Sequence, residues 1–484
     1  MPVDASPIIV WRAIAPALAL VVGGVVTLMV GAIMRRPKRS ALAVMTLLSL
    51  ATSGGLTLRL AIDDRNVVAL QGMVALDGVA LFTNLILLIT AGIVTLMSFE
   101  YLRARRIHRF EFYPLLLLAT AGMVMLASAN DLLMVFVSIE VLSLALYVMV
   151  GLARHDQGSQ EASMKYFLLG AFSSAILLYG IALAYGATGE TNISAMAGQV
   201  GAADARMMLL AAALIAVGFA FKVSAVPFHM WTPDVYQGAP TSVTGFMAAG
   251  TKAAGFAALL RVFLVAFGTV QWDWRPALWG ISVATMVVGS LLAIVQSDVK
   301  RLLAYSSIAH AGFLLVGVVA ANEQGKAGTL FYLLVYALMT LGAFAAVMLS
   351  APSGRERLDL ASWVGLGQRH PLFAGAMTLF LLSLAGIPPT AGFMGKFFVF
   401  QAAIDAGETG LVIAGVLASV VAAFFYLRLI VVMWLQEPAG EVEGLGLTRG
   451  GVASLAITGT ATVALGVYPQ ALIDLARAAS TFTG

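Results

Sequence analysis

The chain of 484 residues has no cysteine, which excludes disulfides, Cys-ligated iron–sulfur clusters and thiolate metal sites. Charge is scarce too. Charged residues make up 11% of the sequence against 61% apolar, with a mean hydropathy of +0.95, and no soluble domain is built that way. Of the five histidines, only His229 and His310 fall inside long apolar segments, so the chain is expected to carry no redox centre of its own. A phosphate-binding loop, a dinucleotide fingerprint, a metal-spaced His/Asp/Glu cluster and a nucleophile–base arrangement are all missing. Any energy source must then be another protein or an ion gradient.

What remains is apolar sequence almost from end to end. A membrane span needs about 20 largely apolar residues, and about fourteen such stretches can be drawn. They run 8–34, 40–62, 75–99, 111–128, 131–152, 163–187 and 205–235, then 240–268, 275–296, 301–320, 327–350, 371–403, 409–436 and 450–478. The expected fold class is an all-α polytopic membrane protein, a single transmembrane domain over 1–484. Ile8 to Met34 is too long for a signal-peptide core and lacks a basic leader, so it is expected to stay as the first span.

The net charge of +4 does not point to nucleic acid, because the basic residues follow loop parity. Placing the N-terminus outside puts most Lys and Arg in inner loops, led by Arg35-Arg36-Pro37-Lys38-Arg39 and Arg103 to Arg109. Both termini then face away from the cytoplasm by the positive-inside rule. Acidic residues such as Asp63 and Asp64 fall mostly in outer loops, although acids carry little topological weight. Trp272, Trp274 and Trp279 are expected to form an interfacial aromatic anchor, and Lys300 and Arg301 to snorkel toward the cytoplasm.

Two long spans carry proline at their middle: Pro227 follows Lys222, and Gly386-Ile387-Pro388-Pro389 precedes Lys396. Proline removes a backbone donor and clashes with the preceding turn, so both spans should break there. Broken helices at corresponding positions point to inverted repeats. The expected organisation is an N-terminal three-helix segment (1–110), two inverted five-helix repeats (111–268 and 275–436, spans 4–8 and 9–13) and a C-terminal helix (450–478).

Glu140, Lys222, Lys252 and Lys396 sit well inside apolar spans, where a charge costs about 2.5 kcal/mol or more at the bilayer centre. Glu140 stands nine residues into its span, roughly 14 Å along the axis. Each has a structural alternative: a neutral carboxyl bonded to a neighbouring helix for Glu140, snorkelling for Lys222, a fixed countercharge for Lys252, a cap on the helix break for Lys396. His229 and His310 are equally open to being hydrogen-bonded core residues, with Thr251, Tyr305, Ser306 and Ser307 placed to hold water beside them. As a set they make sense as a proton path. Burial favours neutral forms while mutual attraction favours charged pairs, and opposed terms let coupled groups exchange protons, each neighbour's charge resetting the next.

Three motifs carry a resemblance to a known family. FKVSAVPFHMWTPDVYQGAPTSVTGFMAAGTKAAGFAALLR (Phe221 to Arg261), SDVKRLLAYSSIAHAGF (Ser297 to Phe313) and LAGIPPTAGFMGKF (Leu384 to Phe397) resemble the antiporter-like membrane subunits of respiratory complex I, shared with Mrp-type cation/proton antiporters and membrane hydrogenases. The stretch Trp231 to Pro240 follows the N-type form of that family, and Lys396 speaks against the M type. The resemblance implies proton translocation coupled to electron transfer from NADH to quinone, with NADH, FMN, iron–sulfur clusters and quinone on partner subunits and no cofactor in this chain. It implies an M-type subunit and small K/J/A-type subunits as partners, in a bacterial inner membrane. It also implies roles: Glu140 and Lys222 as an ion pair sensing neighbouring charge, Lys252 as the central relay, Lys396 as the last residue of the outward half-channel, His229 and His310 as hydrated path residues. Gln237 stands where many relatives carry an acidic residue. A subunit of an Mrp-type antiporter or membrane hydrogenase is the alternative, and it would use the same residues.

Overall fold

Inside a bilayer, backbone polar groups find no water, so each apolar run must satisfy its own as a helix. The computed structural model describes residues 7–34, 39–63, 67–107, 109–350, 352, 356–438 and 444–482. Arg35 to Lys38 of the first basic cluster, Asp64, His108, and the side chains of Arg39 and Trp272 lie outside the described residues. Among the described residues twelve helices are long and apolar enough to cross a membrane, and Phe112–Ala127 and Pro371–Ala385 are shorter apolar helices. The bundle opens with α1 Pro7–Ile33, α2 Arg39–Ile62, α3 Gly78–Ala104, α4 Phe112–Ala127, α5 Leu132–Val150 and α6 Gln157–Thr188. The seventh is split into α7a Ala205–Val223 and α7b Trp231–Gly238, and is followed by α8 Thr241–Ala266, α9 Gln271–Ile294, α10 Val299–Ala320 and α11 Glu323–Leu349. The twelfth is split into α12a Pro371–Ala385 and α12b Ala391–Asp405, with α13 Thr409–Leu435 and α14 Arg449–Val467 completing the bundle.

Aspartates start many of these helices. Asp77, Asp131, Asp156, Asp204 and Asp298 each accept a first-turn backbone N–H from the cap position of α3, α5, α6, α7a and α10, satisfying donors that have no intrahelical partner. They cap helices at both ends of the bundle, so these acids answer to capping and not to topology.

Both sequence-expected breaks are present, five spans apart. α7a ends in a left-handed Ser224 (φ +65) and α12a in a left-handed Gly386 (φ +85). Pro227, Pro388 and Pro389 then keep the chain out of helix.

The centre of the bundle is α8, α10 and α11. Their most apolar windows are 89%, 94% and 94% buried, against 33% for α1, α2 and α6; side chains on the first three therefore meet protein rather than lipid. α8 is not a regular helix. π-helical turns at Met247–Thr251 and Val262–Ala266 bracket the regular segment Lys252–Arg261, and such bulges re-aim side chains, commonly at functional sites.

Several boundaries differ from the sequence expectation. The third span starts at Gly78 rather than 75, because Val67–Ala69 and Val74–Leu76 form an antiparallel hairpin with Val67 paired to Leu76. The last stretch is two helices, since Pro469 interrupts it and Gln470–Ala478 follows as a separate helix. The expected tryptophan anchor is corrected at Trp274, which is 4% exposed and donates its indole N–H to Phe267 O (3.0 Å).

Candidate functional site

Glu140 lies near the middle of α5, half-buried, and accepts a hydrogen bond from the Ser174 hydroxyl of α6. Lys222 is in the last turn of α7a, 4% exposed, where free carbonyls favour a cation. Its ammonium donates to Ser143 Oγ at 2.7 Å. Ser143 stands three residues after Glu140 on the same helix, one turn along the same face. The Ser143 hydroxyl donates to Ile139 O, next to Glu140 in the chain, so Lys222 is held one helical turn from Glu140, and no direct ion pair joins them among the described residues.

The Lys222 stem also meets α8. A Cβ added at Gly255 would stand 3.5 Å from Lys222 Cγ and 3.0 Å from Val223 Cγ1; the missing side chain there lets α7a approach the Lys252 helix. Lys252, 1% exposed, follows the first π turn and donates to Ser307 O of α10. Its ammonium lies 5.3 Å from the Tyr336 ring centre on α11, and Tyr336 in turn donates its hydroxyl to Ser307 Oγ (2.8 Å). Thr251 bonds within its own helix, to Met247 O at 2.6 Å.

One turn further along α10, His310 continues the file. Its Nδ1 pairs with the Tyr332 hydroxyl (2.7 Å) and its Nε2 with the Tyr426 hydroxyl (3.3 Å), and Tyr426 also bonds Ser306. The His310 and Tyr336 rings lie 5.2 Å apart between centroids. Lys396, on α12b, ends the series at 4% exposure. It donates to Ala385 O (2.9 Å), a carbonyl freed by the helix break, and to Ser419 Oγ of α13 (3.1 Å), and lies 4.4 Å from the Phe313 ring centre. Gly386 makes room for it: a Cβ there would sit 3.0 Å from Lys396 Cδ.

The structure thus brings Glu140, Lys222, Lys252, His310 and Lys396 into one buried file, while leaving His229 apart. His229 is half-buried in the break after α7a, and its Nδ1 has no hydrogen-bond partner. Tyr305 is likewise outside the hydrogen-bonded file. Lys300 is not the snorkelling residue expected from sequence: it is 2% exposed and donates to Ala239 O at 2.7 Å. Arg301 instead ion-pairs with Asp234 (2.7 Å), which also holds Lys165 (2.7 Å). Gln237 bridges the same cluster, donating to Asp298 (2.9 Å) and accepting from Arg301 (3.0 Å).

Sequence reasoning missed Ser143, Ser174, Tyr332, Tyr336, Tyr426 and Ser419. The one signal available was spacing: Ser143 is three residues from Glu140, and Tyr332 and Tyr336 are four apart on an apolar helix. Hydroxyls both donate and accept; those of Tyr332 and Tyr426 partner His310, while those of Ser143 and Ser419 partner Lys222 and Lys396.

Fold and site together define a class: a polytopic helical membrane protein with titratable groups strung along its buried centre. Residues 129–422 match the family described as NADH:quinone oxidoreductase/Mrp antiporter, TM. The chain is 45% identical to NADH-quinone oxidoreductase subunit N of Salinispora arenicola, with 98% of each chain covered. It is 51% identical to the subunit N of Rhodococcus opacus over 77% of this chain and 70% of that one. Among solved structures, a chain of respiratory complex I from Thermus thermophilus with bound aureothin superposes with a TM-score of 0.82 at 36% identity, covering 95% of this chain and 98% of that one. A chain of the Mrp complex from Dietzia sp. gives 0.86 at 22% identity, covering 98% and 97%; that likeness is one of fold alone. The chain belongs to the NADH-quinone oxidoreductase subunit N family, within the wider antiporter-like group.

Proposed function

We propose that this chain is the proton-translocating, antiporter-like membrane subunit of an NADH-quinone oxidoreductase. The observation that carries the proposal is the buried file from Glu140 to Lys396, in which each lysine has a hydroxyl or carbonyl partner and an aromatic or apolar wall. Ammonium groups held this way persist where they move charge, because fixed charges at membrane depth cost so much. Lysine suits the task since it loses its proton readily when buried.

In this scheme Glu140, and Lys222 held one turn away by Ser143, sense charge arriving from a neighbouring subunit. Lys252 is the central relay, His310 with Tyr332 and Tyr426 carries protons onward, and Lys396 is the final donor. His229 keeps a lesser, hydrated role in the break. Spans 4–8 and 9–13 act as two inverted repeats, each contributing one broken helix. NADH, FMN, iron–sulfur clusters and quinone belong to partner subunits, and this chain holds no cofactor. Its membrane-arm partners are an M-type antiporter-like subunit and the small K/J/A-type subunits, in a bacterial inner membrane with both termini periplasmic. The fold-level likeness to an Mrp chain does not favour cation exchange over this role.

The test is Lys252→Ala in the assembled oxidoreductase reconstituted in vesicles. Fewer protons should move per NADH oxidised, with the complex still assembled. An unchanged ratio in a correctly assembled variant removes the relay.

A further inference from the structure

A polar crevice of about 260 Å³ opens at the bundle end that carries the loop after α3 and the α9–α10 turn. Arg105, Asp156, Lys165, Asp234, Lys300 and Glu356 line it. Five of these have side-chain partners: Lys165 holds Asp234 and also Glu161, Arg105 faces Asp156, and Glu356 accepts from the Tyr101 hydroxyl (2.7 Å). Lys300 is different. It lies at the crevice wall yet is 2% exposed, and its one hydrogen bond, to Ala239 O, leaves two of three N–H donors unused.

Ala239 O caps α7b at the turn into α8. Two and three residues on, the hydroxyls of Thr241 and Ser242 are buried without any hydrogen-bond partner among the described residues. Two adjacent orphaned hydroxyls inside a protein mark a place for water, because an unsatisfied buried polar group costs about 1–3 kcal/mol. On the other wall, Lys300 is seven residues before Ser307 on α10, two turns or about 10.5 Å along the axis, and Ser307 O holds Lys252. The orphaned hydroxyls and Lys300 thus lie toward the crevice end of α8, which carries Lys252, and of α10, whose Ser307 O accepts from it.

We infer that Lys300 is the loading residue of the relay, taking protons from the crevice and passing them to Lys252 through water held at Thr241 and Ser242. This rests on the translocation role proposed above. The neutral Lys300 amine binds a proton from crevice water; the ammonium then releases one along the held water to the neutral Lys252 amine. No bond to carbon changes and no electron moves. The charges facing Lys300 are Glu356, Asp298 and Asp156, opposed by Arg105, so acids outnumber bases around it.

The experiment uses the assembled oxidoreductase in vesicles and reads protons moved per NADH oxidised, with Lys252→Ala as reference. Lys300→Arg keeps a cation and a donor for Ala239 O but cannot release its proton; a merely structural lysine would be rescued by it. The expected ratio for Lys300→Arg is that of Lys252→Ala, and the double variant goes no lower than either. Thr241→Val with Ser242→Ala, which alters no charge, should lower the ratio too, and decides alone should Lys300→Arg fail to assemble. A wild-type ratio in either Lys300→Arg or the hydroxyl variant overturns the inference. A wild-type ratio in Lys252→Ala overturns the translocation role instead.

Discussion

Lys222 is held one helical turn from Glu140 by Ser143: the ammonium donates to the serine hydroxyl at 2.7 Å, and that hydroxyl donates in turn to Ile139 O. The pair is thus coupled at a distance that a small side-chain movement can close or open. A direct buried ion pair would have neither freedom, because separating two contacting charges in a low-dielectric interior is costly.

Removing the linking hydroxyl is therefore a sharper test of coupling than removing either charge. Ser143→Ala takes away the only hydrogen-bond acceptor of Lys222 among the described residues. A bond to a charged group is worth about 1.5–3 kcal/mol, so steps that need Lys222 held in place should slow by about tenfold or more. Ser143→Thr retains the hydroxyl and should pump nearly normally. Initial pumping rates in vesicles check both, and an unimpaired Ser143→Ala complex would leave Ser143 a bystander.

At the other end of the file, Lys396 must give up its proton to complete a transfer. Lys396→Arg keeps the positive charge beside Ala385 O and Ser419 Oγ, yet arginine stays protonated in proteins. Pumping is expected to fall as far as in Lys396→Ala. Should Lys396→Arg pump at the wild-type ratio, Lys396 would be a cap on the broken helix and nothing more.

The residues that announced the site did so because they break the rule of their surroundings. Lys222, Lys252 and Lys396 are cations in apolar runs, and Pro227, Pro388 and Pro389 are helix breakers in mid-span, so both the buried file and the two breaks were legible. Ser143, Tyr332 and Tyr426 were not, since hydroxyls are ordinary on membrane helices and only the packing of α5 on α7a, or of α10 on α11 and α13, gives them partners. Lys300 looked like a snorkelling residue because sequence position at a span's end says nothing of depth; the turn between α7b and α8 folds over it. The hairpin at 67–76 was hidden for a similar reason, as three-residue strands of Val and Ala are indistinguishable from the edge of an apolar helix.

Gln237 belongs to a cluster fixed by Asp298. That one carboxylate caps α10 through Arg301 N (2.9 Å) and anchors α7b through Gln237 Nε2 (2.9 Å). Asp298→Ala should cost about 1–2 kcal/mol from the lost cap and bond. Asp298→Asn retains an acceptor for the cap and should cost less. Thermal melting of the purified complex ranks the two, and equal melting temperatures for Asp298→Ala and wild type would sever the link between this cluster and helix placement.

The most buried ion pair lies away from the proposed path. Arg261, near the end of α8, meets Asp77 through two parallel hydrogen bonds of 2.7 and 2.8 Å, with side chains 1% and 0% exposed. Asp77 also caps α3, and the Phe482 ring lies 5.0 Å from the guanidinium. The pair ties α3 to α8 on behalf of packing rather than transfer, since arginine does not exchange its proton. Asp77→Ala leaves a buried, unpaired guanidinium and should destabilise the chain by about 3–5 kcal/mol, seen as a lower melting temperature or poor accumulation. Asp77→Ala with Arg261→Met removes the stranded charge and should recover part of that loss. Whatever fraction of either variant assembles is expected to pump at the wild-type ratio. A stable Asp77→Ala complex with a reduced ratio would instead place this pair on the proton path.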